Sequence, residues 1–587
     1  MNNSSFHSIS QRCLPYLLSG LLLGLSYPSY PYIRLEALAW VWMVPMLIAL
    51  KSVESFPKFL RNVYLTLLCV AVVGMSWLAL STLSGSLLLF LFFPAVVSVP
   101  LIVFYFVRRA LGWRAALLSL PAVWTGWEWL YQQTEGSLGW FPIGVTQSNL
   151  TWLVQYIDIT GVWGITFWLV LFNVLIVMAI EGEQWSVVSG RWSVKEDELK
   201  TENSKLKTAL VRRLSVVSAL MLVVPLSYSA YTFVRESRIA SANERNLSVM
   251  LVQPNINAWE KLRDGARPAV LRKTISLTNR ALAASATKPD LIILPETAVP
   301  YFLADEAKAR ESFYRAITRW QTPVLTGLLD ASVDAQSAAG GQNNWQVVRG
   351  QPVREVFNSA ALFSPGADEA GGRLDVERSP VYHKRVLVPF VERVPYADKF
   401  PALQRLSIDM GAGDGLARGS EATIFSLQTG AGKEVKVGAN ICYESLYPAQ
   451  TAELVKGGAQ MLAFITNEGW FSQTHGEYQL AAFSRLRSIE TRRAVARAGN
   501  TGITQFVDST GGVHEQAAWW SEQTLQGNVR LSDEMSLYVR YTDYFPKWCV
   551  GFTLAIMAAA LARILRRFAR RLRWRRGEVV AVSRYEV

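Results

Sequence analysis

Cys442 is the only thiol between residues 245 and 535. A lone interior cysteine is more often inert than reactive, so its neighbourhood has to decide. Val435–Ile441 has the pattern of a strand and Tyr443 onward that of a helix start. That places the sulfur at a strand-to-helix turn on a sheet edge. A helix N-terminus there favours the thiolate and offers N–H groups to an oxyanion. Histidine is scarce: His7, His383, His475 and His514 are all there are, none at metal-ligand spacing. One thiol in the region argues against a zinc site, and neither metal nor other cofactor is expected. No Gly-x-Ser-x-Gly elbow is present, which argues against a serine hydrolase. A proton acceptor must then come from carboxylates or lysines at strand ends. Leu291-Ile292-Ile293-Leu294-Pro295-Glu296 ends a buried run in an acid, and Tyr382-His383-Lys384-Arg385 precedes Leu387-Val388-Pro389-Phe390-Val391-Glu392. Each of these charges taken alone reads as a solvated surface group.

The elements that must hold these residues are short apolar runs alternating with amphipathic stretches. Strands are predicted at Leu247–Val252, Asp290–Leu294, Pro323–Leu328, Ser359–Phe363, Val435–Ile441, Met461–Ile465 and Ile503–Val507. Helices are predicted at 266–286, 306–320, 446–457 and 477–494, giving an α/β domain over 245–535. Residues 331–380, rich in Gly, Ala, Ser and Asp, read as a surface excursion.

The rest of the chain is far more apolar. Its 587 residues are 51% hydrophobic with 21 Trp, and the mean hydropathy is +0.18. The apolar residues crowd into 10–235 and 546–565, which excludes a purely soluble enzyme, a disordered chain and a disulfide scaffold. Candidate membrane spans lie near 10–28, 35–51, 63–82, 86–107, 114–131, 161–181, 211–233 and 546–565, each about the 20 residues a bilayer requires. This divides the chain into a membrane domain over 1–240, the α/β domain, and a final span with basic tail over 546–587. An acid in a span is often functional, but Glu128 lies among Trp124, Trp127 and Trp129 near a span end, as an interfacial anchor would. Arg12 before an apolar stretch suggests a signal peptide, but no small-x-small site follows, so the first span is expected to stay uncleaved.

The formal charge of +13 is placed by topology. Lys51, Lys58 and Arg61 follow the second span, Arg108, Arg109 and Arg114 the fourth, the 181–213 loop carries seven Lys and Arg from Arg191 to Arg213, and eight arginines lie from Arg563 to Arg576. Loops on the other side carry almost none. Positive charge marks the cytoplasmic face, so both termini are expected in the cytoplasm and the α/β domain outside. The basic clusters then concern membrane lipid, and no nucleic-acid partner is expected.

At the motifs around Glu296, Lys384 and Cys442 the sequence resembles the carbon-nitrogen hydrolase, or nitrilase, superfamily, whose αββα sandwich carries a Glu-Lys-Cys triad. Phe357-Asn358-Ser359-Ala360, Thr466-Asn467-Glu468-Gly469-Trp470-Phe471 and Asn500-Thr501-Gly502 add to the match. With eight spans the whole chain is similar to the apolipoprotein N-acyltransferase family. The resemblance implies transfer of an acyl chain from a phospholipid, usually phosphatidylethanolamine, through a Cys442 thioester to the α-amino group of a diacylglyceryl-cysteine apolipoprotein at a bacterial inner membrane. It implies Glu296 as base, Lys384 as oxyanion stabiliser, and supporting roles for Glu392, Tyr443 and Glu444.

The chain departs from the family pattern in four places. Val391 replaces a Gly before Glu392, Glu468-Gly469 replaces Asp-Ala, Gln479-Leu480 replaces Gln-His, and Lys261-Leu262 replaces Lys-Trp. Trp259 is expected to substitute for the missing Trp at the substrate, beside Trp470 and Phe471, and apolar residues of Pro395–Met410 to line the entry. The rival readings are a membrane-tethered amidase using water as second nucleophile, and a non-catalytic scaffold that recruits lipoproteins.

Overall fold

The computed structural model describes residues 3–582 apart from 30–32, 190–195, 243–244, 262, 264, 333–345, 349–350, 354, 367–368, 371–372, 375–378, 408–414 and 431. Much of the 331–380 excursion therefore lies outside the described residues.

The membrane half consists of α1 (Asn3–Ser26), α2 (Met43–Leu50), α3 (Phe56–Met75), α4 (Leu83–Val97), α5 (Val99–Leu111), α6 (Trp113–Gln132), α7 (Val162–Ser189) and α8 (Glu196–Ala242), with shorter turns between. After the α/β domain comes α13 (Tyr544–Val582). Helix occupies each of the eight apolar segments. Among the described residues, however, four helical stretches are long and apolar enough to cross a bilayer by length and composition: Phe56–Met75, Leu83–Leu111, Val162–Glu181 and Tyr544–Arg570. Cys13–Ser26 and Glu36–Leu50 are shorter apolar helices. The 35–51 segment is two pieces, a 3-10 turn Glu36–Trp40 and then α2. The expected 181–213 loop is largely helical, because α7 runs on to Ser189 and α8 begins at Glu196.

Glu128 is not the expected interfacial anchor. It is buried and accepts hydrogen bonds from Trp124 Nε1 (2.9 Å), the Ile143 N–H (2.9 Å) and Thr166 Oγ1 (2.7 Å). It ties α6 to α7 and to the 3-10 turn Ile143–Gln147, satisfying donors that an apolar interior would otherwise strand.

In the α/β domain, β1 (Asn246–Gln253), β2 (Leu291–Ile293), β3 (Val299–Phe302), β4 (Val324–Ser332), β5 (Glu355–Phe363), β6 (Val381–His383) and β13 (Gln523–Arg530) form one sheet in the order β6-β5-β4-β2-β1-β13, with β3 beside β4. The second sheet runs β7 (Ile424–Gln428), β8 (Glu434–Ile441), β9 (Met461–Thr466), β10 (Val495–Gly499), β11 (Gln505–Val507), β12 (Val513–Gln516). Strands β1, β2 and β4 are mutually parallel, as are β8, β9 and β10. The sheets pack face to face: Leu247, Val249 and Leu251 meet Val437, Ala439 and Ile441 in one core. The opposite face of the first sheet is covered by α9 (Arg267–Ala284) and α10 (Ala307–Trp320). The second sheet is covered by α11 (Pro448–Lys456) and α12 (Gly476–Thr491), whose apolar side chains continue into the core of the membrane half. The four layers give the expected αββα sandwich.

Buried polar contacts lock this layer to the membrane half. Glu490 pairs with Arg487 at 2.8 Å and accepts the N–H of Val162, where α7 starts (2.7 Å). Arg492 pairs with Asp158 at 2.8 Å. Asp543 accepts from Trp163 Nε1 and Trp129 Nε1, both at 3.0 Å, at the entry to α13. Such charges are costly to bury unless fully partnered, so their pairing fixes one relative placement of the two halves.

Candidate active site

β2 of the first sheet and the parallel strands β8 and β9 of the second end at one edge of the sandwich. Glu296 follows β2, Cys442 follows β8, and Asn467-Glu468 follows β9. Lys384 follows the edge strand β6. The turn after Glu296 has Thr297 at φ +50° and lies against Gly327 of β4. A Cβ on Gly327 would come within 2.4 Å of the Thr297 nitrogen, so only glycine lets Glu296 sit there.

Glu296, Lys384 and Glu392 are all buried. Lys384 Nζ donates to Glu392 Oε1 at 2.8 Å and lies 3.5 Å from Glu296 Oε1. Asn358 of β5 donates its side-chain amide to Glu296 Oε1 (2.7 Å) and to Glu392 Oε1 (3.2 Å), while its backbone carbonyl accepts the Lys384 N–H (2.8 Å). The Val388 N–H donates to Glu392 Oε2 at 2.8 Å. Burial works against the Lys384 ammonium, but Glu392, Glu296 and the Cys442 sulfur outweigh it and hold its pKa above the ordinary lysine range.

Cys442 has φ +51° and opens a five-residue 3-10 turn, Cys442–Leu446. Burial raises its thiol well above the usual range, and Glu296 adds to this. Lys384 opposes them, Glu468 adds a further increase, and a hydrogen bond from the Asn467 N–H works against it. The expectation of a thiolate favoured by a helix N-terminus is thereby corrected. The turn is too short to supply a substantial dipole, and desolvation dominates. The sulfur is a thiol that must surrender its proton to a base, and the acid acting on it most strongly is Glu296.

Glu444 makes no hydrogen bond to Lys384. Its Oε2 accepts the Ile441 N–H (2.8 Å), and its Oε1 accepts from Tyr382 OH (2.6 Å), Arg385 N–H (2.7 Å) and Val386 N–H (3.2 Å). It stitches the Cys442 turn to the segment after Lys384. Tyr443 points toward the membrane half: its OH donates to the Ser137 carbonyl (3.0 Å) and accepts from the Gly139 N–H (3.1 Å).

Glu296, Lys384, Glu392, Cys442 and Tyr443 line a cavity of about 500 Å³ that runs to Leu89 and Phe92 of α4 and to Leu403 and Leu406. Its wall is overwhelmingly apolar away from the charged end. Trp470 and Phe471 also line it. Phe471 packs edge-on against Trp77 at 4.7 Å. Trp259 does not line the cavity. It is 44% exposed and stands edge-on behind Trp470, with ring centres 5.3 Å apart. Pro395 and Tyr396 belong to the lining with Leu403 and Leu406, whereas Met410 lies outside the described residues.

Sequence reasoning gave no role to three residues of this end. Asn358 and Asn467 stood only as context. Lys261 stood only as the partner of the departing Leu262, yet its buried Nζ donates to the Glu296 carbonyl at 3.0 Å, with its pKa pushed down to about 8 by burial against the pull of Glu296. Gln479, which precedes the departing Leu480, bridges to the membrane half: it accepts from Trp77 Nε1 (3.1 Å) and donates to the Gly74 carbonyl (3.0 Å).

The chain matches the carbon-nitrogen hydrolase family over residues 248–537 and the apolipoprotein N-acyltransferase N-terminal domain over 19–175. Among solved structures it is similar to Nit3 of Saccharomyces cerevisiae, a nitrilase-superfamily member, at 15% identity and TM-score 0.33 over 49% of this chain and 90% of that one. It is 30% identical to an apolipoprotein N-acyltransferase of Geobacter metallireducens over 95% of this chain and 97% of the relative. It is 37% identical to one of Chlorobaculum tepidum over 93% and 96%. Matched from the membrane helices through the sandwich, the chain belongs to the apolipoprotein N-acyltransferase family.

Proposed function

We propose that this protein transfers an acyl chain from a membrane phospholipid to the N-terminal amine of a diacylglyceryl-cysteine lipoprotein through a thioester on Cys442. The observation that carries this reading is the cavity joining the Cys442 thiol, Glu296 and Lys384 to an apolar passage walled by α4. Glu296 takes the thiol proton, and the sulfur attacks the phospholipid ester carbonyl. Lys384, held charged by Glu392, stabilises the oxyanion. Collapse expels the lysophospholipid alkoxide, which takes the proton from Glu296, and leaves the acyl thioester. The lipoprotein amine then attacks the thioester carbonyl, its proton passes to Glu296, and the sulfur departs and is reprotonated. One site serves both substrates in turn.

Exposing each methylene of a lipid chain to water costs about 0.8 kcal/mol. A passage opening among membrane helices avoids that cost for both substrates, and a small-amide hydrolase gains nothing from it. Phosphatidylethanolamine is the proposed donor. The eight helical segments are read as eight crossings of a bacterial inner membrane, with both termini cytoplasmic and the α/β domain periplasmic, in keeping with the basic segments after the even-numbered crossings.

The test incubates the full-length protein with phosphatidylethanolamine vesicles and no acceptor. Intact mass should then rise by one acyl chain, labile to hydroxylamine and absent in Cys442→Ala. A Cys442→Ala protein that still matures lipoproteins sinks the reading, and small-amide hydrolysis outpacing transfer favours the amidase.

A further inference from the structure

Behind the Cys442 sulfur lies a second buried charged cluster that the acyl-transfer scheme does not use. Glu468 and Arg497 are both fully buried, and Arg497 Nη2 donates to Glu468 Oε1. Arg497 Nε also donates to the Ile503 carbonyl at 3.0 Å, which anchors the guanidinium to the chain beyond β10. Backbone walls in the glutamate: a Cβ on Gly502 would come within 2.6 Å of its carboxylate, and one on Gly499 within 3.2 Å. The two glycines leave the room that the carboxylate occupies. β8 and β9 are parallel with Ile441 paired to Ile465, so Asn467, just past β9, stands one residue beyond the position beside Cys442, and its backbone N–H acts against the rise of the thiol. The Asn467 side-chain oxygen accepts from Asn500 Nδ2 at 2.8 Å, holding the same peptide from the other side.

The chemistry makes that N–H valuable. The sulfur carries negative charge twice: when it loses its proton before attack, and when it departs as the amine displaces it. A fixed backbone donor aimed at the sulfur stabilises both, provided it does not have to reorganise. Glu468 cannot help through its own charge, because a carboxylate near the sulfur opposes the thiolate. Any benefit must come from where it holds the chain.

We propose that Glu468, through its ion pair with Arg497, is a positioning residue that fixes the Asn467 N–H against the Cys442 sulfur in both half-reactions. This inference rests on the acyl-transfer reading above. The surrounding charges are consistent with it. Glu477 at the start of α12 interacts with both Glu468 and Arg497 and accepts from the Trp519 and Trp520 indoles. Burial pushes its carboxyl up to about 10, so it adds no negative charge at neutral pH. Arg497 is then left to Glu468.

The two ways in which Glu468 can act on the thiol have opposite signs, and Glu468→Gln separates them. The variant is near-isosteric and removes the charge. If only through-space charge mattered, the thiol would become more acidic and react faster. If positioning dominates, the N–H is lost and the thiol becomes no more acidic. The experiment uses full-length protein with phosphatidylethanolamine vesicles and a synthetic diacylglyceryl-cysteine peptide. Three quantities are read: the rate of acyl-enzyme formation, kcat and KM for transfer, and the pH profile of Cys442 alkylation by peptide mass.

For Glu468→Gln the expected result is at least a tenfold loss in both half-reactions, KM for each substrate within twofold, and an alkylation midpoint equal to or above that of the wild type. Glu468→Asp, which keeps the charge, should recover at least threefold of that loss. A Glu468→Gln enzyme with wild-type kcat, or with a lowered alkylation midpoint, overturns the proposal. A wild-type protein that forms no acyl thioester overturns the acyl-transfer reading instead, so the two failures are distinguishable.

Discussion

The Asn358 side-chain amide lies 2.7 Å from Glu296 Oε1 and 3.2 Å from Glu392 Oε1. One neutral donor thus holds two buried acids on either side of the Lys384 ammonium. Without it the acids would be tied to each other only through the lysine, which must also face the reacting carbonyl.

Replacing Asn358 with Leu should therefore slow acylation without emptying the cavity. A hydrogen bond to a charged group is worth about 1.5–3 kcal/mol, which corresponds to roughly a tenfold to hundredfold loss of rate. Single-turnover acyl-enzyme formation measures this directly. A variant within twofold of wild type would show that Lys384 alone suffices to orient Glu296.

Thiol reactivity gives the second prediction. Burial, Glu296 and Glu468 raise the Cys442 thiol, whereas Lys384 and the Asn467 N–H oppose the rise. Alkylation of the free enzyme at Cys442 should accordingly keep increasing with pH beyond the ordinary cysteine midpoint of about 8.5. Lys384→Met removes the main opposing charge, so its profile should move to still higher pH. Cys13, Cys69 and Cys549 are also free thiols, so the readout is the mass of the Cys442 peptide. A midpoint below that of an ordinary cysteine would mean that the thiolate is stabilised by something other than these groups.

Gly327 supplies a third test, at a residue that touches no substrate. A Cβ there would meet the Thr297 nitrogen at 2.4 Å and Glu296 Cα at 2.6 Å, both backbone atoms that cannot swing aside. Gly327→Ala should cost about 1–3 kcal/mol of stability by overpacking. It should also displace Glu296, so that acyl transfer falls by more than the folded fraction does. Activity normalised to folded protein, from thermal melts and turnover on the same sample, separates the two effects.

How much of this was legible beforehand varied with how locally each feature is determined. Leu291–Leu294, Val435–Ile441 and Met461–Ile465 read as strands because a parallel strand covered on both faces is a continuous apolar run. The runs ended where Glu296 and Cys442 stand. The edge strands β6, β7, β12 and β13 are short or polar and were missed, as was the four-residue β3. So was β10, whose Arg497 breaks the apolar pattern and is tolerated in the interior only because Glu468, 29 residues away in sequence, receives it. The same limit hid the roles of Asn358 and Lys261, whose partners lie on other strands. Glu128 was misread because its Trp neighbours mark an interface locally, whereas Ile143 and Thr166, which bury it, come from elsewhere in the chain. The thiol's direction was misjudged because a strand followed by a helix start suggested a dipole that a five-residue turn does not provide.

Glu477 ties the domain's stability to pH. It is fully buried, and burial raises its carboxyl from 4.5 to about 10, the negative charge of Glu468 adding to the effect. Between those values the folded protein binds a proton that the unfolded chain releases. Linkage then makes stability fall as pH rises, with a limiting slope of about 1.4 kcal/mol per pH unit for one group. Stability is complete below the unfolded value and is lost progressively up to the folded one. Glu477→Gln is neutral at every pH and keeps a side-chain oxygen for the Trp520 indole, which donates at 3.1 Å in the wild type. Thermal midpoints of the wild type should decline from pH 6 to pH 9.5, whereas those of Glu477→Gln should decline less and lie above wild type at pH 9.5. Parallel curves would mean that Glu477 is already ionised at neutral pH. Arg497 would then be shared between two carboxylates, and Glu468 would lose its exclusive pairing with the guanidinium.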